Sequence, residues 1–192
     1  MKIHELASLE ESSGYSLEGS FTPDLVFSKY WLMQKLNSIQ PHISVMYILG
    51  AWYCNLALYL HRYQHPKVDH IINVETDQKF LKTGQEILDA VGADNMEYML
   101  KDANKLDYRQ LDGKGAVVNT SLTDMSGQQW FDNIPPGTLV ALQGRDQDPN
   151  RNFRSTEDIT NRFPLSQVIY AGGLKLKDPQ TAYTRYMVIG IK

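Results

Sequence analysis

Four short segments of the chain carry residue types suited to holding and acting on a small polar ligand. Gly50 opens the run Gly50-Ala51-Trp52, where a residue without a Cβ lets backbone amides come close to a ligand. Glu75, followed by Thr76 and Asp77, supplies a carboxylate that can accept hydrogen bonds from both hydroxyls of a ribose; one of the two acids, Asp77, is alternatively the cap of a helix starting near Gln78. Asp102 can accept from an exocyclic amine while the Ala103 amide donates to a ring nitrogen, the plain alternative being an exposed loop aspartate. Asn119, with Asp124 shortly after it, offers an amide to align a nucleophile and a carboxylate to take its proton. Within "TDMSGQQW", Asp124 also reads as a helix cap.

These groups can cooperate only if the fold brings them to one edge, and the apolar periodicity supplies such a fold. The runs "ISVMYILG", "DHIINVE", "MEYML", "GAVVNTS" and "GTLVALQG" are short, rich in β-formers and closed by glycine or polar residues, as buried strands are. Between them lie helical stripes: Tyr53, Leu56, Ala57, Leu60 and Tyr63; then Phe80, Leu81, Ile87, Leu88 and Val91, ending at Gly92. A shorter helical segment is expected around Gln128 to Phe131. Upstream, "FTPDLVFSKYWLMQKL" predicts a helix with Thr22 as N-cap, Pro23 at its first position, and Leu25, Val26, Tyr30, Leu32, Met33 and Leu36 on its buried stripe, ended before Pro41. The last two runs, "SQVIYAGGLKL" and "AYTRYMVIGIK", are joined by five residues, too few for a parallel crossover and enough for an antiparallel hairpin. The expectation is a three-layer α/β/α sandwich with a mostly parallel seven-stranded sheet. Ligands of such sheets sit beyond the carboxyl ends of the strands, and all four segments fall there.

Glycine, acid and Asp-Ala after successive strands, with a hairpin closing the sheet, resemble the class I S-adenosylmethionine-dependent methyltransferases, whose fold is Rossmann-like. The resemblance spans about Leu25 to Lys192 in architecture and short segments in motif. It implies S-adenosylmethionine as cofactor and S-adenosylhomocysteine as product, with Gly50 and Ala51 toward the methionine part and Trp52 also at the cofactor. It further implies Glu75, Thr76 and Asp77 at the ribose, Asp102 and Ala103 at the adenine, and Asn119 beside the transferable methyl, with Asp124 as a nearby base. Gly50 stands where the family's first motif has its leading glycine, and the remaining glycines of that motif are absent. The Asn-Pro-Pro-aromatic pattern of amino-directed nucleic-acid methyltransferases is also missing, since Thr120, Ser121 and Leu122 follow Asn119. The acceptor is expected to be a small molecule, or a macromolecule recognised with a partner's help. It would sit under the N-terminal segment and the polar 144–166 stretch, which reads as a lid, a surface loop or a short helix.

Two other functions fit the same elements. One is a non-catalytic or partner-dependent S-adenosylmethionine-binding module; the other is a nicotinamide-dependent oxidoreductase, opposed by the lack of a three-glycine loop and by Trp52 and Tyr53 crowding a pyrophosphate. Trp31, Trp52, Tyr53 and Trp130 can line a pocket for a planar group, although aromatics at helical spacing are more often core. His61 and His65 are spaced i, i+4 with His70 nearby, but Arg62 stands where a metalloprotease helix has glutamate, so no metal is expected. With 192 residues the chain is expected to form one domain, residues 1–40 being its helical cap segment. A formal net charge of -3 supplies no general attraction to nucleic acid, and one cysteine, Cys54, forms no intramolecular disulfide and fits a reducing, cytoplasmic setting. No run is apolar and long enough to span a membrane, and the first residues lack the pattern of an export signal.

Overall fold

The computed structural model describes residues 18–111, 113–146, 153–177 and 181–192. Its seven strands are β1 (His42–Leu49), β2 (Lys67–Glu75), β3 (Met96–Leu100), β4 (Ala116–Asn119), β5 (Leu139–Arg145), β6 (Gln167–Lys177) and β7 (Ala182–Ile191). They form one sheet in the order β3-β2-β1-β4-β5-β7-β6. The first five run parallel, and β7 lies antiparallel between β5 and β6. The chain moves outward from β1 to β3, then returns across β1 to β4, so strand order reverses between β1 and β4. Register brings the carboxyl ends level there: Leu49 pairs with Val74 and with Asn119, and Glu75 with Leu100.

The helices are α1 (Pro23–Ile39), α2 (Asn55–Tyr63), α3 (Gln78–Ala90), α4 (Gln129–Asp132) and α5 (Thr156–Arg162). Strand residues alternate between two apolar layers. Met46 and Ile48 of β1 join Leu32 and Leu36 of α1, Leu56 and Leu60 of α2 and Leu88 of α3 on one face. Tyr47 and Leu49 face the other layer, with Trp130 and Phe131 of α4 and Ile159 of α5. The link from β3 to β4 holds only a 3-10 turn, Ala103–Lys105, and a loop whose Leu106 and Tyr108 are buried. That layer is filled by side chains from loops and short helices rather than by a long crossover helix.

α1 begins with Thr22 and Pro23 as expected, yet the Thr22 hydroxyl makes no cap; the Val26 amide donates instead to the Thr22 carbonyl. Its buried face also differs from the expected stripe. Leu32, Met33 and Leu36 are buried, but in the first half the buried residues are Asp24 and Ser28, while Tyr30 is 47% exposed and Leu25 and Val26 are half-buried. The second half of the helix rests on the apolar sheet and the first half lies over polar side chains at the ends of β5 and β7, so the polar residues turn inward. Within the 144–166 stretch, residues 147–152 lie outside those described, and α5 buries Ile159 beside Phe153 and Phe163.

Candidate functional site

The turn after β1 is set by left-handed backbone at alternate residues: φ is 62° at Gly50, 53° at Trp52 and 56° at Cys54. Only Gly50 adopts it without steric cost, so the other two must be held by their surroundings. The Ala51 amide donates to the Val74 carbonyl (3.0 Å), the Trp52 amide to Glu75 Oε2 (2.8 Å) and the Cys54 amide to the Ala51 carbonyl (2.8 Å). Packing adds to this, because Gly84 of α3 brings its backbone against Tyr53 and Cys54 so closely that a Cβ there would lie 2.7 Å from Cys54 Sγ. Burial first, and then the Glu75 charge, push the Cys54 thiol up to about 12, which makes it a core residue rather than a nucleophile.

Glu75 is the hub. Its Oε1 accepts from the Thr76 amide (2.7 Å) and the Asp77 amide (3.2 Å), so three backbone amides converge on one carboxylate. Each oxygen has two acceptor sites, which leaves capacity for a ligand hydroxyl. Asp77 is the N-cap of α3, accepting from the amides of Lys79 and Phe80. Asp102 closes the turn after β3, its Oδ1 accepting from the Asn104 amide (2.9 Å) and from Asn104 Nδ2 (3.1 Å). Asn104 in turn ties this turn to the 121–130 loop, donating to the Ser126 carbonyl and accepting from the Trp130 amide.

Asn119 is fully buried at the end of β4. Its Oδ1 accepts from the Ser121 amide (2.9 Å) and its Nδ2 lies 3.1 Å from the Met125 sulfur, so its amide shapes the turn. Ser121 Oγ donates to the Gly50 carbonyl at 3.4 Å, joining the β1 and β4 turns across the point where strand order reverses. Asp124 caps no helix, since the N-cap of α4 is Gln128.

Between these turns lies a cleft of about 420 Å3 whose lining includes Gly50, Trp52, Glu75, Asp102, Ala103 and Ser121, with Thr76, Phe80, Asp124 and Met125 also in its wall. This lies within the roughly 300–1,000 Å3 of small-molecule sites. Of the residues expected at the site, Gly50, Trp52, Glu75, Thr76, Asp102, Ala103 and Asp124 meet in this cleft. Ala51 lines a recess of about 40 Å3 that shares Gly50, Trp52 and Ser121 with it. Trp52 is the one tryptophan in the cleft wall; Tyr53 and Trp130 are buried, and Trp31 sits edge-on against Tyr170 at the sheet edge.

Lys29, Thr120, Ser121 and Asn104 have places here that their spacing did not disclose. Lys29 crosses from α1 to donate to Thr120 Oγ1 at 2.6 Å, and Arg185 Nη1 donates to the Thr120 carbonyl at 3.2 Å. Burial, and next the Arg185 charge, pull the Lys29 ammonium down to about 7 against a smaller pull from Asp124. The available signal was the inward face of α1, where Asp24 and Ser28 interrupt an otherwise apolar stripe.

The fold as a whole has counterparts among solved structures. The chain is similar to the N-methyltransferase NodS from Bradyrhizobium japonicum WM9 in complex with S-adenosyl-L-homocysteine, with TM-score 0.69 and 11% identity over 96% of this chain and 97% of that one. Its fold is that of the methyltransferases. The N-terminal domain of EvdMO1 with S-adenosylhomocysteine bound gives TM-score 0.64 and 13% identity over 100% of this chain and 97% of that one. Magnesium protoporphyrin IX methyltransferase from Synechocystis PCC 6803 with bound S-adenosylmethionine gives TM-score 0.60 and 10% identity over 85% and 78%. No family model and no curated protein matches the chain. In this chain the turn after β1 has left-handed backbone at three positions, two of them tryptophan and cysteine.

Proposed function

We propose that the chain is an S-adenosylmethionine-dependent methyltransferase. The observation that carries this is the convergence of Gly50, Glu75, Asp102 with Ala103, and Ser121 on one cleft at the strand-order reversal of a methyltransferase fold. Glu75 would take a ribose hydroxyl with the acceptor site left on Oε2, Thr76 lying beside it and Asp77 fixing α3 behind. Asp102 Oδ2 and the Ala103 amide would take the adenine edge, and Trp52 would cover one face. Gly50 and Ala51 would hold the methionine part near Ser121. When bound, the cofactor supplies an electrophilic methyl on a sulfonium.

Asn119 positions the β4 turn through the Ser121 amide, and Asp124 is the carboxylate in the cleft that can receive the acceptor's proton. The acceptor enters from the α1 side and is a small molecule, or part of a macromolecule bound with a partner's help. We take residues 1–192 as one domain acting in the cytoplasm, a setting that accords with the buried, unpaired Cys54. No helix among the described residues is long and apolar enough to cross a membrane.

Isothermal titration with S-adenosylmethionine and S-adenosylhomocysteine tests the reading. Micromolar binding that Glu75→Ala weakens at least roughly tenfold is expected, since a hydrogen bond to a charged group is worth about 1.5–3 kcal/mol. The absence of both heat and thermal stabilisation with either ligand would overturn it, and stabilisation by NAD alone would replace it with the oxidoreductase.

A further inference from the structure

α1 delivers a lysine to the place where the turns after β1 and β4 meet. Lys29 Nζ lies 2.6 Å from Thr120 Oγ1, and Thr120 stands between Asn119, which ends β4, and Ser121, whose hydroxyl donates to the Gly50 carbonyl. Lys29 and Thr120 line a recess of about 40 Å3 that meets the cofactor cleft at Gly50, Trp52 and Ser121. Leu25, Ile48, Ala51 and Leu56 give the rest of its wall a largely apolar surface. The recess has room for a group little larger than one water, whose share of liquid is about 30 Å3. That is the span across which a proton passes between heavy atoms, directly or through one water.

The surroundings of Lys29 favour a neutral amine. Arg185 of β7 faces it beside the Thr120 carbonyl, to which Arg185 Nη1 donates at 3.2 Å, and Arg145 of β5 stands opposite Arg185 in the sheet. On α1 itself the nearest acid, Asp24, is turned to Tyr183, accepting from its hydroxyl at 2.6 Å. Asp124, on the loop after β4, attracts Lys29, but burial and then Arg185 outweigh it. The amine therefore gains and loses its proton at about pH 7, where a base is most effective. A neutral amine that donates one N–H to Thr120 Oγ1 keeps its lone pair for a second partner.

We infer that Lys29 is the proton acceptor in methyl transfer, so that the methyl acceptor is a nucleophile that must shed a proton, a hydroxyl, a thiol or an amine. The inference rests on the methyltransferase reading and deepens it. The acceptor's lone pair forms a bond to the methyl carbon as the carbon–sulfur bond breaks, and sulfur keeps that electron pair, leaving a neutral thioether. The acceptor's proton passes to the Lys29 amine, and the ammonium returns it to solvent. Thr120 aims the amine, and Asp124 favours the ammonium while it lasts.

The test uses the charge that distinguishes the two forms of the cofactor. S-adenosylmethionine carries a sulfonium and S-adenosylhomocysteine a neutral sulfur, so an ammonium on Lys29 near the reacting atom opposes the first and not the second. Isothermal titration with each ligand between about pH 6 and about pH 8.5, at constant ionic strength, reads the ratio of the two affinities. In wild type, binding of S-adenosylmethionine relative to S-adenosylhomocysteine should strengthen at least about fivefold as pH rises through about 7. Lys29→Met should hold the ratio near its high-pH level throughout, and Lys29→Arg near its low-pH level. Comparison with these variants removes the titration of the ligands' own amino groups. Asp124→Asn, a change at an exposed residue, should keep the fold and move the midpoint to lower pH, since Asp124 favours the ammonium. If Lys29→Met does not fold, Lys29→Arg and Asp124→Asn carry the comparison. Binding of both ligands with the same pH dependence of the ratio in wild type and in the Lys29 variants overturns the role of Lys29 alone, because its amine is then too far from the methyl to take a proton there. Binding of neither ligand at any pH overturns the methyltransferase reading, and the role of Lys29 with it.

Discussion

Glu75 does two jobs with one carboxylate. It accepts the amides of Trp52, Thr76 and Asp77, and it borders the cleft. Glu75→Ala should therefore lower stability as well as cofactor affinity, by about 1 kcal/mol as the part-buried Trp52 amide loses its acceptor, in chemical denaturation. Gly50→Ala should cost about 1–2 kcal/mol for its left-handed φ of 62°. Its methyl would also lie 3.1 Å from Ser121 Cβ, so cofactor affinity should fall with stability. Lys29 gives a pH signature. Its folded value of about 7 lies below the unfolded 10.5, so across that window the unfolded chain holds a proton that the folded chain lacks. Stability should rise with pH from about 7 to 9 in wild type and lose this rise in Lys29→Met, read from melts at each pH. Above that range Cys54, whose value is raised, works in the opposite sense. Glycine, acid and Asp-Ala were legible one residue at a time because each follows a recognisable strand. Lys29, Thr120 and Arg185 were not, because nothing local marks residues that meet only through α1 crossing the ends of β5 and β7.

At the scale of elements, each helix has a separable role. Asp77 caps α3, and Asp77→Ala should cost about 1 kcal/mol, seen as a lower denaturation midpoint. An accompanying tenfold loss of cofactor affinity would mean that Asp77 also touches the ligand. In the opposite layer, Phe163 packs against Trp130 and Phe131 at ring-centroid distances of 5.1 and 5.3 Å, joining the α5 segment to α4. Phe163→Ala should destabilise by about 3–5 kcal/mol with little change in cofactor affinity per folded molecule, since the ring lies away from the cleft. Strands were readable because buried parallel strands are short apolar runs with glycine or polar stops. The first half of α1 was misread because periodicity assigns apolar residues to the core, whereas this half covers a polar cluster and leaves Phe27 and Tyr30 outside. The glycine loop looked depleted because its signature is composition, while the structure holds left-handed backbone at Gly50, Trp52 and Cys54 through hydrogen bonds and close packing at Gly84.

On the scale of the whole molecule, a mostly parallel seven-stranded sheet closed by an antiparallel hairpin was expected from the sequence of runs and crossovers, and the sheet is of that kind, with the hairpin at one edge. What spacing could not convey is how the two halves divide the work. Residues 50–126 line the cleft, and α1, β5 and β7 supply the polar group beside it. This division follows from β7, the last strand in chain order, being inserted between β5 and β6 rather than added at the rim. During vectorial synthesis β5 emerges with one side unsatisfied, and its partner, along with Tyr183 and Arg185, arrives only after the hairpin has turned back. Long-range pairings of this kind form late, so the cleft can take shape while the α1 side is still open. A nascent or clipped chain without β7 would expose the Leu139–Arg145 edge as a template for another strand, making late insertion the step at which this protein is most exposed to aggregation.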